Sequence, residues 1–133
     1  MATTQITWLC FGLLGLLPFA LGFWVSINRG RAGANYGFSD DPTHPLHKAV
    51  RAHGNAVEYV PALMVLTVAL AQMAPGQLTM WLVILATLGR YCHAFAMITC
   101  KSLNDRHPLR VVGSVLTYFP GLIMAILVII AVL

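Results

Sequence analysis

Apolar residues fill four long stretches of the chain, and polar residues collect in the segments between them. Each stretch holds about 20 or more mostly apolar residues, which is the length that crosses a hydrocarbon core roughly 30 Å thick. The apolar residues show no alternation of period two, so helices are predicted rather than the strands of a barrel. The predicted spans are Ile6 to Ile27, Ala49 to Met73, Leu78 to Thr99 and Leu109 to Leu133.

The connections between the spans predict how the helices pack. Pro75 and Gly76 close a tight turn after the second span, and only Lys101 to His107 separate the third span from the fourth. Helices joined so briefly pack antiparallel. The fold class predicted for residues 1–133 is an all-α membrane protein with a single domain, an antiparallel four-helix transmembrane bundle.

Composition agrees with lipid as the solvent of this surface. The chain is 59% hydrophobic and only 9% charged, which is more apolar surface than one small soluble core could bury. Its three cysteines lie in or near the apolar stretches without a CxxC spacing. They are interpreted as packing residues, and no metal site is expected.

The positions of the eight Lys and Arg residues predict the orientation. All except Arg90 lie in or beside the first and third connections, and positive charge marks the cytoplasmic side of a membrane protein. Both connections are therefore predicted to face the cytoplasm, with the N- and C-termini on the other side. The net charge of +4 is attributed to anionic lipid headgroups or an anionic ligand, and no nucleic acid partner is expected.

Ionisable side chains inside the spans need an explanation, because each costs at least about 2.5 kcal/mol in lipid. Arg51, Asn55 and Glu58 share one face of the second span, and Arg90 and His93 share one face of the third. Counted from the predicted cytoplasmic ends, Glu58 and Arg90 both lie roughly 15 Å deep. These two side chains are therefore predicted to meet.

The fourth span adds a further polar face, formed by Arg110, Ser114 and Thr117. The second, third and fourth spans are thus predicted to line one polar cavity that opens to the cytoplasm. One interpretation is a buried ion pair of Glu58 with Arg90 that fixes the register of the helices. Such a pair leaves the other basic side chains of the cavity unmatched, and an anionic ligand would satisfy them.

Three segments resemble a known family. Residues 51–61, RAHGNAVEYVP, are similar to the signature R-A-x-x-N-x-x-E-[YF]-x-P of the MAPEG family, the membrane-associated proteins in eicosanoid and glutathione metabolism. Arg90 and His93 resemble the R-x-x-H of the family's third helix, and residues 108–113, PLRVVG, look like the start of the fourth helix in short bacterial members. The residues that match the first signature are Arg51, Asn55, Glu58, Tyr59 and Pro61.

The resemblance implies a homotrimer among the lipids of a bacterial inner membrane, with glutathione bound as co-substrate between neighbouring subunits near the cytoplasmic face. Carried over residue by residue, the ligand set is Arg51, Asn55, Glu58, Tyr59, Arg90, His93 and, by a looser match, Arg29 or Arg31. In family enzymes an arginine near the start of the fourth helix stabilises the thiolate. Here that residue is Arg110, with Arg106 as the substitute if the loop aligns differently.

The activity implied is that of a glutathione-dependent transferase or peroxidase, which conjugates or reduces small hydrophobic electrophiles through the Arg-stabilised thiolate. Two alternatives stay open: a non-catalytic lipid-binding or scaffold protein of the same family, and a small transporter or channel subunit. Some members have tyrosine where this chain has Met97, and others have arginine where it has Gly54. The resemblance therefore does not extend to eicosanoid specificity.

Overall fold

The four predicted spans are four α-helices in the computed structural model, which describes residues 3–37 and 39–133. All four helices are long and apolar enough to cross a membrane. The prediction of an all-α, four-helix membrane protein is confirmed. The helices are α1 (Thr3–Ala32), α2 (Pro45–Met73), α3 (Gln77–Thr99) and α4 (Pro108–Ile130).

Several helix ends differ from the predicted ones. The last turn of α1 runs on through Arg29 and Arg31, where positive charge complements the negative end of the helix dipole. The start of α2 lies earlier because Pro45 suits the first helical position and the Nδ1 atom of His44 accepts from the amide of Leu46 at 3.1 Å. Conversely, α4 ends at Ile130, before the predicted end of the span.

The helices pack antiparallel, as contacts between them indicate. In α1 and α2, Met64 packs beside Gly15 and His53 beside Gly22, so later residues of one helix meet earlier residues of the other. In α2 and α3, Asn55 meets Arg90. Two connections, residues 33–44 and 100–107, therefore lie at one end of the bundle, which we call the two-loop end.

The third helix occupies the centre of the bundle. It contacts α1, α2 and α4. Within its most apolar 18-residue window 56% of the residues are buried, against 22 to 28% in the other helices. Burial of this kind explains how α3 can carry Arg90 and His93 within a membrane span, because the chain itself can solvate them.

Two glycines allow α3 and α4 to approach closely. A Cβ atom placed on Gly89 would lie 2.7 Å from the Cβ atom of Leu116, and one placed on Gly113 would lie 2.7 Å from the carbonyl oxygen of Gly89. Small residues permit such helix contacts in membranes. The close contact brings the polar side chains of the two helices together at the two-loop end.

The two connections at this end are fastened to each other. The amide of Leu103 donates to the carbonyl of Pro42 at 3.0 Å, and the Nζ atom of Lys48 donates to the carbonyl of Cys100 at 3.0 Å. In the first connection, the amide and hydroxyl of Thr43 donate to the carboxylate of Asp41 and lower its pKa. Hydrogen bonds therefore connect the two loops at the end that carries most of the basic residues.

Candidate functional site

Arg90 lies at the centre of the bundle with only 1% of its surface exposed. Its Nη2 atom donates to the side-chain oxygen of Asn55 at 2.7 Å and to the backbone oxygen of the same residue at 3.4 Å. Its Nη1 atom donates to the hydroxyl of Thr117 at 3.5 Å. One guanidinium thus links α2, α3 and α4.

Two tyrosines extend the surroundings of Arg90 towards the outside of the bundle. The guanidinium stands over the ring of Tyr59, with its carbon 5.2 Å from the ring centroid, within the range of a cation–π contact. The hydroxyls of Tyr59 and Tyr118 are 3.2 Å apart. We call Asn55, Tyr59, Arg90, Thr117 and Tyr118 the Arg90 cluster.

The predicted meeting of Glu58 with Arg90 takes a different form in the structure. Asn55 lies between the two, because it accepts from Arg90 and its Nδ2 atom donates to the Oε2 atom of Glu58 at 3.4 Å. Glu58 itself is exposed. The expectation failed because the buried row of α2, which includes Ala52 and Ala56, faces the core and turns Glu58 outward.

The exposed face of α2 carries two opposite charges. Arg51 and Glu58 both lie exposed on it, with the half-buried Asn55 between them along the helix. We call Arg51 and Glu58 the α2 charged face. It presents a cation and an anion, about two helical turns apart, on the exposed surface of the single chain.

A cavity of about 280 Å³ opens near the start of α4, at the two-loop end. Its basic side chains come from three places: His93 on α3, Arg106 and His107 in the connection, and Arg110 on α4. The other residues around it are Leu103, Asn104, Asp105, Val111 and Ser114. We call this space the Arg110 cavity.

Within the described part of the chain, residues of α2 do not line the Arg110 cavity. The prediction of one cavity lined by three helices is therefore wrong. The polar groups divide into the Arg90 cluster, which joins three helices, and the Arg110 cavity, which α3, α4 and their connection form. The division follows from the rotation of α2, which leaves Arg51 and Glu58 exposed on the surface of the single chain.

Arg110 is held by backbone carbonyls of the connection before it. Its Nη1 atom donates to the carbonyl of Leu103 at 2.6 Å and to that of Asp105 at 3.4 Å. Both bonds use the same nitrogen, so the rest of the guanidinium can serve the cavity that Arg110 lines. The start of α4 adds the positive end of its helix dipole, which favours an anion there.

Two buried imidazole atoms lie at the same cavity. The Nδ1 atoms of His93 and His107 have no hydrogen-bond partner among the described residues. His93 is 8% exposed and was predicted to be a ligand residue, whereas His107 was not. The sequence does contain a signal for the position of His107. Proline suits the first position of a helix, so the residue directly before Pro108 is the N-cap of α4.

The remaining basic candidates lie around the two-loop end. Arg29 is half-buried in the last turn of α1, and its Nε atom has no partner in the described residues. Arg31 stands over the ring of Trp24, with its guanidinium carbon 5.6 Å from the centroid. Neither residue lines the Arg110 cavity, whereas Arg106 does so from an exposed position.

A second, apolar groove of about 300 Å³ lies between α2 and α4. Leu63 and Leu66 of α2 and Leu122 of α4 line it, and the hydroxyls of Tyr59 and Tyr118 border it. The groove shares Tyr59, Thr117 and Tyr118 with the Arg90 cluster.

Metal ligation finds no support in the described residues. No group of three or more His, Cys, Asp or Glu side chains among residues 3–37 and 39–133 could hold an ion. The three cysteines are free thiols, of which Cys10 and Cys100 are buried and Cys92 is partly buried. The site therefore offers guanidinium, imidazole, amide and phenol groups for chemistry.

Comparison with known protein families gives one match over nearly the whole chain. The model of the MAPEG family matches residues 7–130. A search of curated proteins finds no match. The matched residues cover most of α1 and all of α2, α3 and α4, and they include the α2 charged face, the Arg90 cluster and the Arg110 cavity.

Proposed function

Because the chain belongs to the MAPEG family, we propose that it is a glutathione-dependent membrane transferase or peroxidase acting on small hydrophobic electrophiles. The family includes glutathione-dependent transferases and peroxidases as well as non-catalytic members. The observation that carries the proposal is the Arg110 cavity, where a fixed guanidinium borders an open space at the start of a helix.

The groups on the chain match the groups of glutathione. Its two carboxylates suit Arg51 and a further basic residue, for which Arg29 is the candidate, and its ammonium suits Glu58. Its thiol suits the Arg110 cavity, where a guanidinium and the positive end of the α4 dipole favour the thiolate. Asn55, Tyr59, Arg90 and His93 complete the proposed ligand set.

One chain alone does not bring these groups together. The α2 charged face looks outward, whereas the Arg110 cavity lies between α3 and α4. A neighbouring copy would let the charged face of one subunit meet the cavity of the next, which supports the proposed homotrimer with ligand at the subunit contacts. The mass of the protein in detergent, measured by native mass spectrometry, tests it: a monomer would contradict the arrangement.

The proposed reaction proceeds in two steps. The thiol of glutathione loses its proton to solvent, and Arg110 stabilises the thiolate. The sulfur then forms a bond to the electrophilic carbon, and the leaving group departs with the electron pair of its bond. With a hydroperoxide, sulfur attacks the outer oxygen, and a second glutathione completes the reduction to alcohol, water and glutathione disulfide.

The apolar groove between α2 and α4 suits an acceptor dissolved in the bilayer.

The proposal is tested by measuring glutathione binding and turnover in the parent protein and in Glu58→Gln. We expect the parent to bind glutathione and to conjugate 1-chloro-2,4-dinitrobenzene. Loss of a charge-assisted hydrogen bond in the variant should weaken binding by about tenfold to a hundredfold. If the parent binds no glutathione, the proposal is wrong.

A non-catalytic lipid-binding or scaffold function is the second candidate. The apolar groove favours it, because such a space could hold an acyl chain without any reaction. Turnover distinguishes the two, since a lipid-binding member would bind a fluorescent fatty acid and leave the electrophile unconjugated.

The four candidate spans and the family identify an integral multi-pass membrane protein. We propose further that the two-loop end faces the cytoplasm, in a bacterial inner membrane. Cysteines introduced by Asn35→Cys and Gly76→Cys in a background without the native three test the orientation. Asn35 is chosen over the neighbouring Gly37, whose φ of 72° would strain a cysteine. If an impermeant maleimide added outside intact cells labelled Asn35→Cys, the two-loop end would face the outside, and the proposed orientation would be wrong.

A further inference from the structure

Lys48 joins the start of α2 to the end of α3. Its Nζ atom donates to the carbonyl of Cys100 at 3.0 Å, and Cys100 is the C-cap of α3. The last carbonyls of a helix have no partner within the helix, and a cation there also complements the dipole. The ammonium group of Lys48 therefore fixes the point at which the α3–α4 connection begins.

Leu103 carries the contact onward from the first connection to Arg110. Its amide donates to the carbonyl of Pro42 at 3.0 Å, and its own carbonyl accepts from the Nη1 atom of Arg110 at 2.6 Å. The connection is thus held near both Cys100 and Leu103 by groups that precede or begin α2. The shortest bond that Arg110 makes is to a carbonyl held in this way.

We propose that Lys48 is a positioning residue for Arg110, acting through the backbone from Cys100 to Leu103. The ammonium keeps the end of α3 in place, the carbonyl of Leu103 stays within reach of Arg110, and the guanidinium stays at the cavity. The inference rests on the proposed function, because it assigns Lys48 to the same thiolate. It also connects two parts of the site, since Lys48 precedes Arg51 by one turn of α2.

A comparison of the parent with three variants distinguishes a positioning role of Lys48 from a simple effect of its charge. Lys48→Met removes the ammonium and keeps an apolar stem, and Lys48→Arg restores a cationic donor. Lys101→Met removes one positive charge from an exposed residue next to Cys100, which makes it the matched control for electrostatics. Lys48→Gln, whose amide is shorter, replaces Lys48→Met if that variant does not fold.

Two measurements are made on each protein. The first follows thiolate absorbance against pH with saturating glutathione, and gives the thiol pKa of the bound ligand. The second follows amide hydrogen exchange in residues 100–107 without ligand, and reports directly on the connection. Steady-state turnover adds kcat and the KM for glutathione.

We expect Lys48→Met to raise the bound thiol pKa by about 1 unit, as a guanidinium that recedes from about 4 to about 6 Å from sulfur would do. With a parent thiol pKa near 7, the thiolate fraction at pH 7 would fall from about one half to about one tenth, so the kcat should fall about fivefold while the KM for glutathione changes less than about twofold. Exchange in residues 100–107 should become faster. Lys48→Arg should behave like the parent, and Lys101→Met should shift the pKa by less than about 0.3 units.

Equal pKa shifts in Lys48→Met and Lys101→Met would overturn positioning in favour of charge. Faster exchange with an unchanged pKa would also overturn it, because Arg110 would then keep its place without Lys48. If instead the parent bound no glutathione, the proposed function would fail, and this proposal with it. If the parent and Lys48→Met both bound glutathione and lowered its thiol pKa equally, only the role of Lys48 would be refuted, and the proposed function would stand.

Discussion

Arg90 and Arg110 carry the same guanidinium group in opposite surroundings. Arg90 is 1% exposed, with Asn55 and Thr117 accepting its hydrogen bonds and Tyr59 beneath its charge. Arg110 is partly exposed, borders an open cavity, and is held through one nitrogen by backbone carbonyls. The first arginine is largely satisfied by the chain, whereas the second retains donors for a ligand.

The comparison explains why two basic residues of one polar region should have different roles. A buried guanidinium on one helix with partners on two others contributes to the unique packing of the three. A guanidinium beside an open cavity keeps its potential available to an incoming anion. We therefore expect changes at Arg90 to affect stability first, and changes at the α2 charged face and the Arg110 cavity to affect the ligand first.

The largest expected effect is the destabilisation caused by Arg90→Met. It leaves the acceptors of Asn55 and Thr117 without their donor inside the bundle, and each unsatisfied buried polar group costs about 1 to 3 kcal/mol. Unfolding in detergent, followed by circular dichroism, measures the loss. The control is Arg106→Met, which removes an exposed guanidinium. Equal stability of the two variants would contradict the structural role of Arg90.

Arg51→Ala should produce the reverse pattern. Arg51 is exposed, so its loss should leave the unfolding midpoint and the oligomer nearly unchanged. The affinity for glutathione should fall by about 1.5 to 3 kcal/mol, or roughly tenfold to over a hundredfold, because a charge-assisted bond to a carboxylate is lost. Titration calorimetry measures the affinity. A variant that unfolds while its folded fraction binds normally would make Arg51 a structural residue.

The close contact of α3 with α4 gives the smallest of these effects. In Gly113→Ala the new methyl group would lie 2.7 Å from the carbonyl oxygen of Gly89 and from the amide of His93, and such overpacking costs about 1 to 3 kcal/mol. Gly12→Ala on α1 is the control, because its methyl group would meet no atom of the described residues within 4 Å. Equal thermal stability of the two variants would show that the helices can separate freely.

The fold and the location of polar faces could be predicted from the sequence. Four apolar stretches of membrane-spanning length leave few other folds, and the cost of a charge in lipid already indicates that Arg90 must be buried within the protein. The resemblance of residues 51–61 to a known signature then indicates a ligand for Arg51 and Glu58. These inferences depend on the periodicity of apolar and polar residues and on side-chain type, both of which can be read directly from the sequence.

The finer geometry could not be predicted for physical reasons. Helix counting places residues to about one turn, and Asn55 and Glu58 differ by about one turn, so the partner of a long arginine was undetermined. Arg110 is held by carbonyls of Leu103 and Asp105, and a backbone carbonyl carries no signal in the side chains. The rotation of α2 depends on the packing of its buried row against α1 and α3.

The measurement that tests the account most directly is the thiol pKa of bound glutathione, from thiolate absorbance in the parent, Arg110→Ala and Arg106→Ala. A free thiol titrates near 8.5, so only about 3% is thiolate at pH 7. A guanidinium about 4 Å from sulfur stabilises the thiolate by up to about 4 kcal/mol at an effective dielectric near 20, and half of that lowers the pKa by more than one unit. We predict a lowered pKa in the parent and in Arg106→Ala, and a return towards 8.5 in Arg110→Ala. An unchanged pKa in Arg110→Ala with glutathione still bound would contradict the account, and a rise in Arg106→Ala alone would assign the role to Arg106.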